Sequence, residues 1–589
     1  MPIEEAYCFE PLKARIQSRT SLPQPWQGVD SGGWSLAAGL RLYLDFGSKR
    51  VGRLRIHASA GEAVRLRIYA YPHPACEQAM EFSSDHFKHP EFPMAWGTLI
   101  FPPIEACIAG GGQTWTDRHM RAFRYLRIDA GGGVQVHGVE LEESSWPGVR
   151  EGEFDCPDAA VTQAWKMGCT TLQLCTQAAP HSQVPVGEAD QWVIWDGCRR
   201  DREIWIGDLR PAALAHYAVS GDPAPVRNSL DLAAGAAFED GLIPGSVSSR
   251  QIFNEYALWW VVALWEYLLY SGDIEFARRQ MPVLHRLMGW VKSHVERHGG
   301  LFAVDNSWSY TLPRKGLLCA PNIVLCAAYG SAAKLCQATG ADGSEFLSLA
   351  ESHRRLTREC YYDMPNRLFR DSPGQITDLR IWEDNNAQAI LMGIVSPGEG
   401  DQILAQLRSR LWGANGATVC APPFPKHEID GLSGWAHNGT IWPFANAYEV
   451  GAWMKCGRIA EGLELLKRFT GACAAAGTGT IWEMIHADGS LPQSPDRRYL
   501  LSLCHSWGAR QPLPAPLCAR GASRSGRMAP GGGRAKLGLA RLGLGNHPNS
   551  RGADPHRGRQ GRCRRALRGA GNPARNHRRG SRLIRIRAS

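Results

Sequence analysis

Ser271-Gly272-Asp273, followed by Met281, Leu284, Met288, Val291 and Val295, is the stretch that decides the fold. Its apolar residues recur at spacings of three and four, the stripe of a helix that packs one face on a neighbour. Another helix ends at the tripeptide, so the segment reads as a helical hairpin turned by Ser-Gly-Asp. The same tripeptide stands 51 residues earlier, at Ser220-Gly221-Asp222, again with a helix on each side. Similar hairpins are read around Thr339-Gly340 and Lys455-Cys456-Gly457. Shared among six units, the 351 residues from 155 to 505 give about 58 each, enough for two helices and a loop. The expectation is a closed ring of six α-hairpins.

Upstream the period changes from helical to two. From Trp34 to Leu141 polar and apolar residues alternate, as in Leu40-Arg41-Leu42-Tyr43-Leu44, Val64-Arg65-Leu66-Arg67-Ile68-Tyr69 and Phe123-Arg124-Tyr125-Leu126-Arg127-Ile128, with Gly, Ser, Pro and Asp clusters between the runs. Several short half-buried strands in one segment favour an antiparallel sandwich. Ser144-Ser145-Trp146-Pro147-Gly148 reads as a linker. The expected protein is multidomain: an N-terminal antiparallel β-sandwich over residues 1–150, the six-hairpin domain over 151–507, and a tail over 508–589.

The tail differs in kind. The whole chain has 66 Lys+Arg against 56 Asp+Glu, a net +10. Residues 509 to 589 hold 19 Arg, Lys536 and a single acid, Asp554, so they carry +19 and the first 508 residues carry −9. The body therefore offers no case for binding nucleic acid. The tail lacks Val, Thr, Glu, Phe, Tyr and Trp, and Arg, Gly and Ala fill 45 of its 81 positions. Such a segment builds no core and is expected to be disordered. An Arg/Gly-rich tail binds phosphates by counterion release. A frameshift in a GC-rich message gives the same composition, and the abrupt switch beside an acidic body favours the frameshift.

In the body, 44% hydrophobic and 9% aromatic residues can bury a large core. No apolar run reaches the ~20 residues that span a bilayer, and Met1-Pro2-Ile3-Glu4-Glu5 lacks a basic segment followed by an apolar one. A soluble, cytoplasmic protein without a membrane partner is expected. The 17 Cys are scattered with no Cys-x-x-Cys spacing, which predicts buried thiols in a reducing compartment rather than a metal cluster or a disulfide scaffold. No cofactor is implied.

Chemistry concentrates in Asp196-Gly197-Cys198-Arg199-Arg200-Asp201-Arg202-Glu203-Ile204-Trp205-Ile206-Gly207-Asp208, which should sit at a helix entrance. On a helix Asp201 and Asp208, seven apart, would share one face with Trp205 between them. Sugar hydrolysis needs such equipment: an acid to protonate the leaving oxygen, an opposed carboxylate to activate water, and aromatic faces for the ring. A solvated salt-bridge helix fits the charge pattern equally well. Gly477-Thr478-Gly479-Thr480-Ile481-Trp482-Glu483 is a second candidate, and a closed ring would bring its first and last units side by side.

These motifs resemble those of the bacterial α-L-rhamnosidases, inverting glycoside hydrolases whose catalytic (α/α)6 barrel follows β-domains. The likeness covers roughly residues 35 to 507. The family's Asp-x4-Glu-x6-Asp is matched by Asp196, Asp201 and Asp208, with Trp205 and Gly207 also fitting. Its Thr-x-Trp-Glu is matched by Thr480-Ile481-Trp482-Glu483, and its Ser-Leu-x-His by Ser502-Leu503-Cys504-His505. The resemblance implies Asp201 as general acid, Glu483 as base and His505 as a sugar ligand. Asp196 and Asp208 would hold sugar hydroxyls and raise the acid's pKa by like-charge repulsion. Trp205, Trp265 and Trp308 are candidates for the sugar platform and His437 for a rim contact, each with core packing as its alternative. The two catalytic carboxyls should stand roughly 6.5–9.5 Å apart to admit a water.

Two departures stand out. The family's usual acid is Glu, and Asp201 is one methylene shorter. The family also continues beyond the His motif into a last barrel helix and a β-sandwich, so this (α/α)6 barrel is expected to lack its last helix and expose an apolar seam. Another six-hairpin glycosidase specificity and a sugar-binding remnant without turnover are the remaining alternatives. A homodimer is left open.

Overall fold

The computed structural model describes residues 8–9, 12–18, 27–28, 32–71, 73, 104–144, 146, 154, 156–179, 191–199, 202–304, 314, 316–373, 380–425, 427, 438–491 and 502–509. The expectations for Asp201, Trp308, His437 and the tail from residue 510 fall outside these residues.

The N-terminal strands are β1 (Cys8–Phe9), β2 (Lys13–Ser18), β3 (Gln27–Gly28), β4 (Trp34–Leu36), β5 (Leu40–Ala60), β6 (Val64–Tyr71), β7 (Ile104–Ile108), β8 (Gly111–Ala130) and β9 (Val134–Glu143). Their pairings are antiparallel and join them in a single sheet with the main order β1-β9-β5-β8-β6-β7. The alternation read from the sequence places Leu42, Leu44, Leu54, Ile56, Leu66, Ile68, Leu126 and Ile128 in one core. The short strands of the expected sandwich are thus partly long ones. Register shifts between Asp45 and Arg50 and between Arg53 and Arg55 interrupt the β5–β8 ladder, and bulges of this kind bend a sheet.

Arg124 on β8 grips Asp45 through two hydrogen bonds of 2.8 and 3.1 Å, and its remaining nitrogen donates to the Gly477 carbonyl at 3.0 Å. The sheet thereby braces the loop that leads to Glu483.

Among the described residues there are eleven α-helices. They are α1 (Ala159–Cys175), α2 (Ile206–Val219), α3 (Ala224–Gly235), α4 (Tyr256–Ser271), α5 (Ile274–Arg297), α6 (Cys319–Thr339), α7 (Ser344–Tyr361), α8 (Glu383–Leu391), α9 (Pro397–Leu411), α10 (Pro443–Lys455) and α11 (Ile459–Ala475). Both Ser-Gly-Asp turns use one device: the Asp N–H donates to the Ser hydroxyl at 3.1 Å, in Asp222–Ser220 and again in Asp273–Ser271. Gly272 closes α4 with φ 70°, a left-handed conformation that suits glycine, and the Asp273 carboxylate caps α5 by accepting from the Phe276 N–H at 3.0 Å. The stripe of α5 buries Met281, Leu284, Met288 and Val291. Truncating Leu284 to Ala in such a core costs about 2–5 kcal/mol.

The first helices of the hairpins contact one another in order: α2 on α4, α4 on α6, α6 on α8 and α8 on α10. The cycle closes through a 3-10 turn, Ser506–Ala509, which packs on α10 on one side and on α2 and α1 on the other. This turn is the last described element of the chain. It extends two residues beyond the expected end of the helical domain, with Gly508 packed so closely that a Cβ there would lie 2.5 Å from Ile481 Cγ2. Among the described residues no helix is long and apolar enough to cross a membrane.

Candidate active site

The three motifs singled out in the sequence, far apart along the chain, meet where the cycle closes. Gly197 forms an antiparallel bridge with His505, and the Ser506 N–H donates to the Asp196 carbonyl at 2.6 Å. The His505 N–H donates to the Ile481 carbonyl, and the Glu483 N–H to the Ser502 carbonyl, both at 2.9 Å. The Ser502 N–H returns a bond to Glu483 Oε2 at 3.1 Å. Backbone pairing thus fixes the side chains of Asp196, Glu483 and His505 before any ligand arrives.

Asp196 is set by its own loop. Its N–H donates to the Glu203 carbonyl at 3.0 Å, and its Oδ1 accepts from the Glu203 N–H at 2.9 Å. The loop turns at Arg202, whose φ is 62° and whose buried guanidinium donates to the Met120 carbonyl at 3.1 Å and to Gln177 Oε1 at 2.9 Å. Burial pulls the Arg202 pKa down to about 10. The helix expected to carry Trp205 and Asp208 on one face starts only at Ile206. Trp205 is its extended N-cap, bridged to Ser246, while Asp208 lies in the first turn.

Asp196, Asp208 and His505 are all buried. His505 Nε2 stands 3.5 Å from Asp196 Oδ2 and 3.7 Å from Asp208 Oδ2. Burial opposes a charged imidazole, yet the bond to Asp196 and the negative charges of Asp208, Asp196 and Glu483 outweigh it, so the His505 pKa lies above its ordinary value. The three carboxylates around it thus favour the protonated form of His505. The two aspartates expected to repel the acid both face this imidazole. The ligand atoms of Asp196, Asp208 and His505 lie within 4.8 Å of one another, a spacing that could also hold a divalent cation. Coordination would require His505 to lose the proton on the nitrogen that faces both carboxylates.

Aromatic rings line the neighbourhood. Trp205 meets Phe253 and Tyr256 edge-on at 5.4 and 6.2 Å, and a Cβ on Gly207 would lie 2.7 Å from the Tyr256 ring, so only glycine fits there. Trp507 lies 4.4 Å from the His505 ring and stacks on Trp442 at 6.2 Å. Trp442 and Trp507 were not among the residues the sequence singled out. Trp507 is two residues from His505, and that adjacency was the available signal. Trp265 is not brought to this cluster: it lies nine residues into α4, about 13 Å along the axis, against the core with Lys334 Nζ 5.6 Å from its ring. A helix with eight consecutive buried residues, Ala257 to Leu264, needs its tryptophans for packing.

No family model matches the sequence, and no curated protein matches it. Solved structures do match. A rhamnosidase from Klebsiella oxytoca with rhamnose bound aligns at TM-score 0.66 and 17% identity, over 86% of this chain and 94% of that one. The fold is that of the α-L-rhamnosidases. A GH78 family rhamnosidase of Bacillus sp. GL1 aligns at TM-score 0.63 and 21% identity, over 83% of this chain and 46% of that chain. An α-L-rhamnosidase of Streptomyces avermitilis complexed with L-rhamnose aligns at 0.55 and 15%, over 86% of this chain and 43% of that chain. The chain thus spans nearly the whole of the Klebsiella rhamnosidase and under half of the other two.

Proposed function

We propose that the protein is a glycoside hydrolase of the α-L-rhamnosidase kind, releasing terminal α-L-rhamnose with inversion from a six-hairpin (α/α)6 barrel whose last hairpin is incomplete. The observation that carries this reading is the convergence of Glu483, Asp196, Asp208 and His505 at the closure of the helical ring, within a rhamnosidase fold. Asp201 is the general acid and protonates the glycosidic oxygen. Glu483, ionised and tethered through Oε2 to the Ser502 N–H, takes a proton from the water that attacks the opposite face of the anomeric carbon. His505, Asp196 and Asp208 supply a donor and acceptors to the sugar hydroxyls, and Trp205 supports the ring.

The test is turnover of p-nitrophenyl α-L-rhamnoside, with the first-formed anomer read by proton NMR. Hydrolysis with β-L-rhamnose appearing first is expected. Retention of configuration, or turnover indifferent to both Asp201→Asn and Glu483→Gln, would remove the mechanism. Cleavage of a different aryl glycoside in preference would reassign the sugar.

A further inference from the structure

Three thiols from three distant segments meet directly behind the site. Cys175 ends α1, Cys198 follows Asp196 by two residues, and Cys504 precedes His505. Cys175 Sγ and Cys504 Sγ are 3.9 Å apart, and Cys198 lies in the same buried cluster. All three are buried, in one cluster with Val51, Leu174, Ala122 and Met120, whose thioether is another soft donor. The buried ammonium of Lys49 lies within electrostatic reach of each thiol.

Ordinary core packing explains one buried cysteine, and a hydrophobic pocket has no need of three thiols gathered in one cluster, two of them with their sulfurs 3.9 Å apart. Thiolates bound to one ion at ~2.3 Å stand about 4 Å apart when three surround it, close to the 3.9 Å here. Soft thiolate donors select ions such as Cu(I) over hard cations. We propose that Cys175, Cys198 and Cys504 form a binding site for a soft monovalent cation of the Cu(I) class, and that filling it inactivates the neighbouring site. Binding converts Cu+ and two thiols to a bis-thiolate complex of charge −1, releasing two protons to solvent without electron transfer, and the Lys49 ammonium offsets the charge. A third thiol adds a further bond. Inactivation follows from the connections: Cys175 Sγ also points at the Asp196 carbonyl at 3.8 Å, and Cys198 and Cys504 flank the Gly197–His505 bridge, so drawing the sulfurs onto an ion displaces both strands that hold Asp196 and His505.

The experiment is anaerobic titration of the full chain with Cu(I) supplied as its bathocuproine disulfonate complex, following loss of the chelator's colour and, in parallel, glycosidase turnover. One equivalent should transfer per chain, with turnover falling at least tenfold as the site fills. Cys175→Ala and Cys198→Ala should each weaken uptake at least tenfold while keeping turnover without copper. X-ray absorption of the copper-loaded wild type should give a shell of two or three sulfurs, a readout that holds even where a variant fails to fold. Failure to withdraw copper from the chelator, uptake unchanged in both variants, or a nitrogen and oxygen shell would each overturn the site. The copper readouts stand apart from the sugar chemistry, so loss of the rhamnosidase reading leaves them intact.

Discussion

Two acidic clusters are buried in the helical domain, and they balance their charge in opposite ways. At the ring closure, Asp196 and Asp208 of the 196–208 segment and Glu483 surround His505, whose pKa they raise. On the first helices of two hairpins, Glu383 of α8 faces Glu449 of α10. Here Glu449 Oε1 accepts from the Trp412 and Trp453 indoles at 2.7 and 2.9 Å, and Asn446 Nδ2 donates to Glu383 Oε2 at 3.1 Å. Burial first, then the neighbouring Glu449, pushes the Glu383 pKa well up, and burial raises that of Glu449 too, so this pair favours the neutral form instead of gathering a cation. A cationic neighbour keeps carboxylates ionised and able to accept from a ligand, whereas burial that favours the neutral form, with indoles and Asn446 closed over the pair, suits packing. The first arrangement suits catalysis and the second holds helices together.

The comparison is broken most decisively by amide substitutions. Glu483→Gln should lower turnover of an aryl rhamnoside by about 10²–10⁴-fold, the range for removal of a general base, with an unchanged thermal melt. Glu383→Gln should leave turnover within a factor of two. If Glu383→Gln is the variant that abolishes turnover, the roles assigned to the clusters are exchanged.

Next in size is a stability effect on the closed pair. Glu449→Ala leaves the Trp412 and Trp453 N–H groups without their acceptor, and each buried unsatisfied donor costs about 1–3 kcal/mol. A loss of about 3 kcal/mol or more in urea unfolding is expected, against less than about 0.5 kcal/mol for Glu483→Gln. Equal losses would mean that Glu483 is as structurally committed as Glu449.

His505→Asn should fall between function and structure. It removes the counter-ion and leaves Asp196 and Asp208 facing each other, so the site should hold sugar more weakly, with KM rising roughly tenfold, equivalent to about 1.4 kcal/mol. A change in kcat alone would place His505 nearer the reacting atoms than its bond pattern suggests.

What could be read from the sequence follows from how local each feature is. The hairpins were legible because Ser-Gly-Asp turns and the Met281 to Val295 stripe are decided within a few residues. Convergence of 196–208 and 480–483 was legible through ring closure, whereas 502–505 entered only through the family resemblance. Three things were not. A helix face shared by Trp205 and Asp208 fails because Trp205 pairs with Ser246, 41 residues away, and α2 starts at Ile206. Trp265 looked like a platform because its side chain is amphipathic, whereas α4 is buried almost all round. The thiol cluster was invisible because Cys175 and Cys504 are 329 residues apart, a pairing no local spacing can signal.

The smallest expected effect is a slope rather than a step. Because burial and Glu449 raise the Glu383 pKa in the folded protein, its contribution is fully present below the ordinary glutamate pKa and is lost as pH climbs through the raised folded value. Unfolding free energy of the wild type should therefore decline from mildly acidic toward alkaline pH. Glu383→Gln carries a permanent amide hydrogen toward Glu449 and still offers an oxygen to Asn446, so its decline should be shallower. The ring-closure cluster works with the opposite sign of charge: His505 loses its positive charge, and with it the attraction to three carboxylates, as pH rises through a pKa held above that of a free histidine. Wild-type stability thus has two alkaline losses, and urea melts of Glu383→Gln and His505→Asn at a series of pH values separate them. If Glu383→Gln leaves the slope unchanged, the proton does not reside on that pair, and all of the alkaline sensitivity belongs to the site.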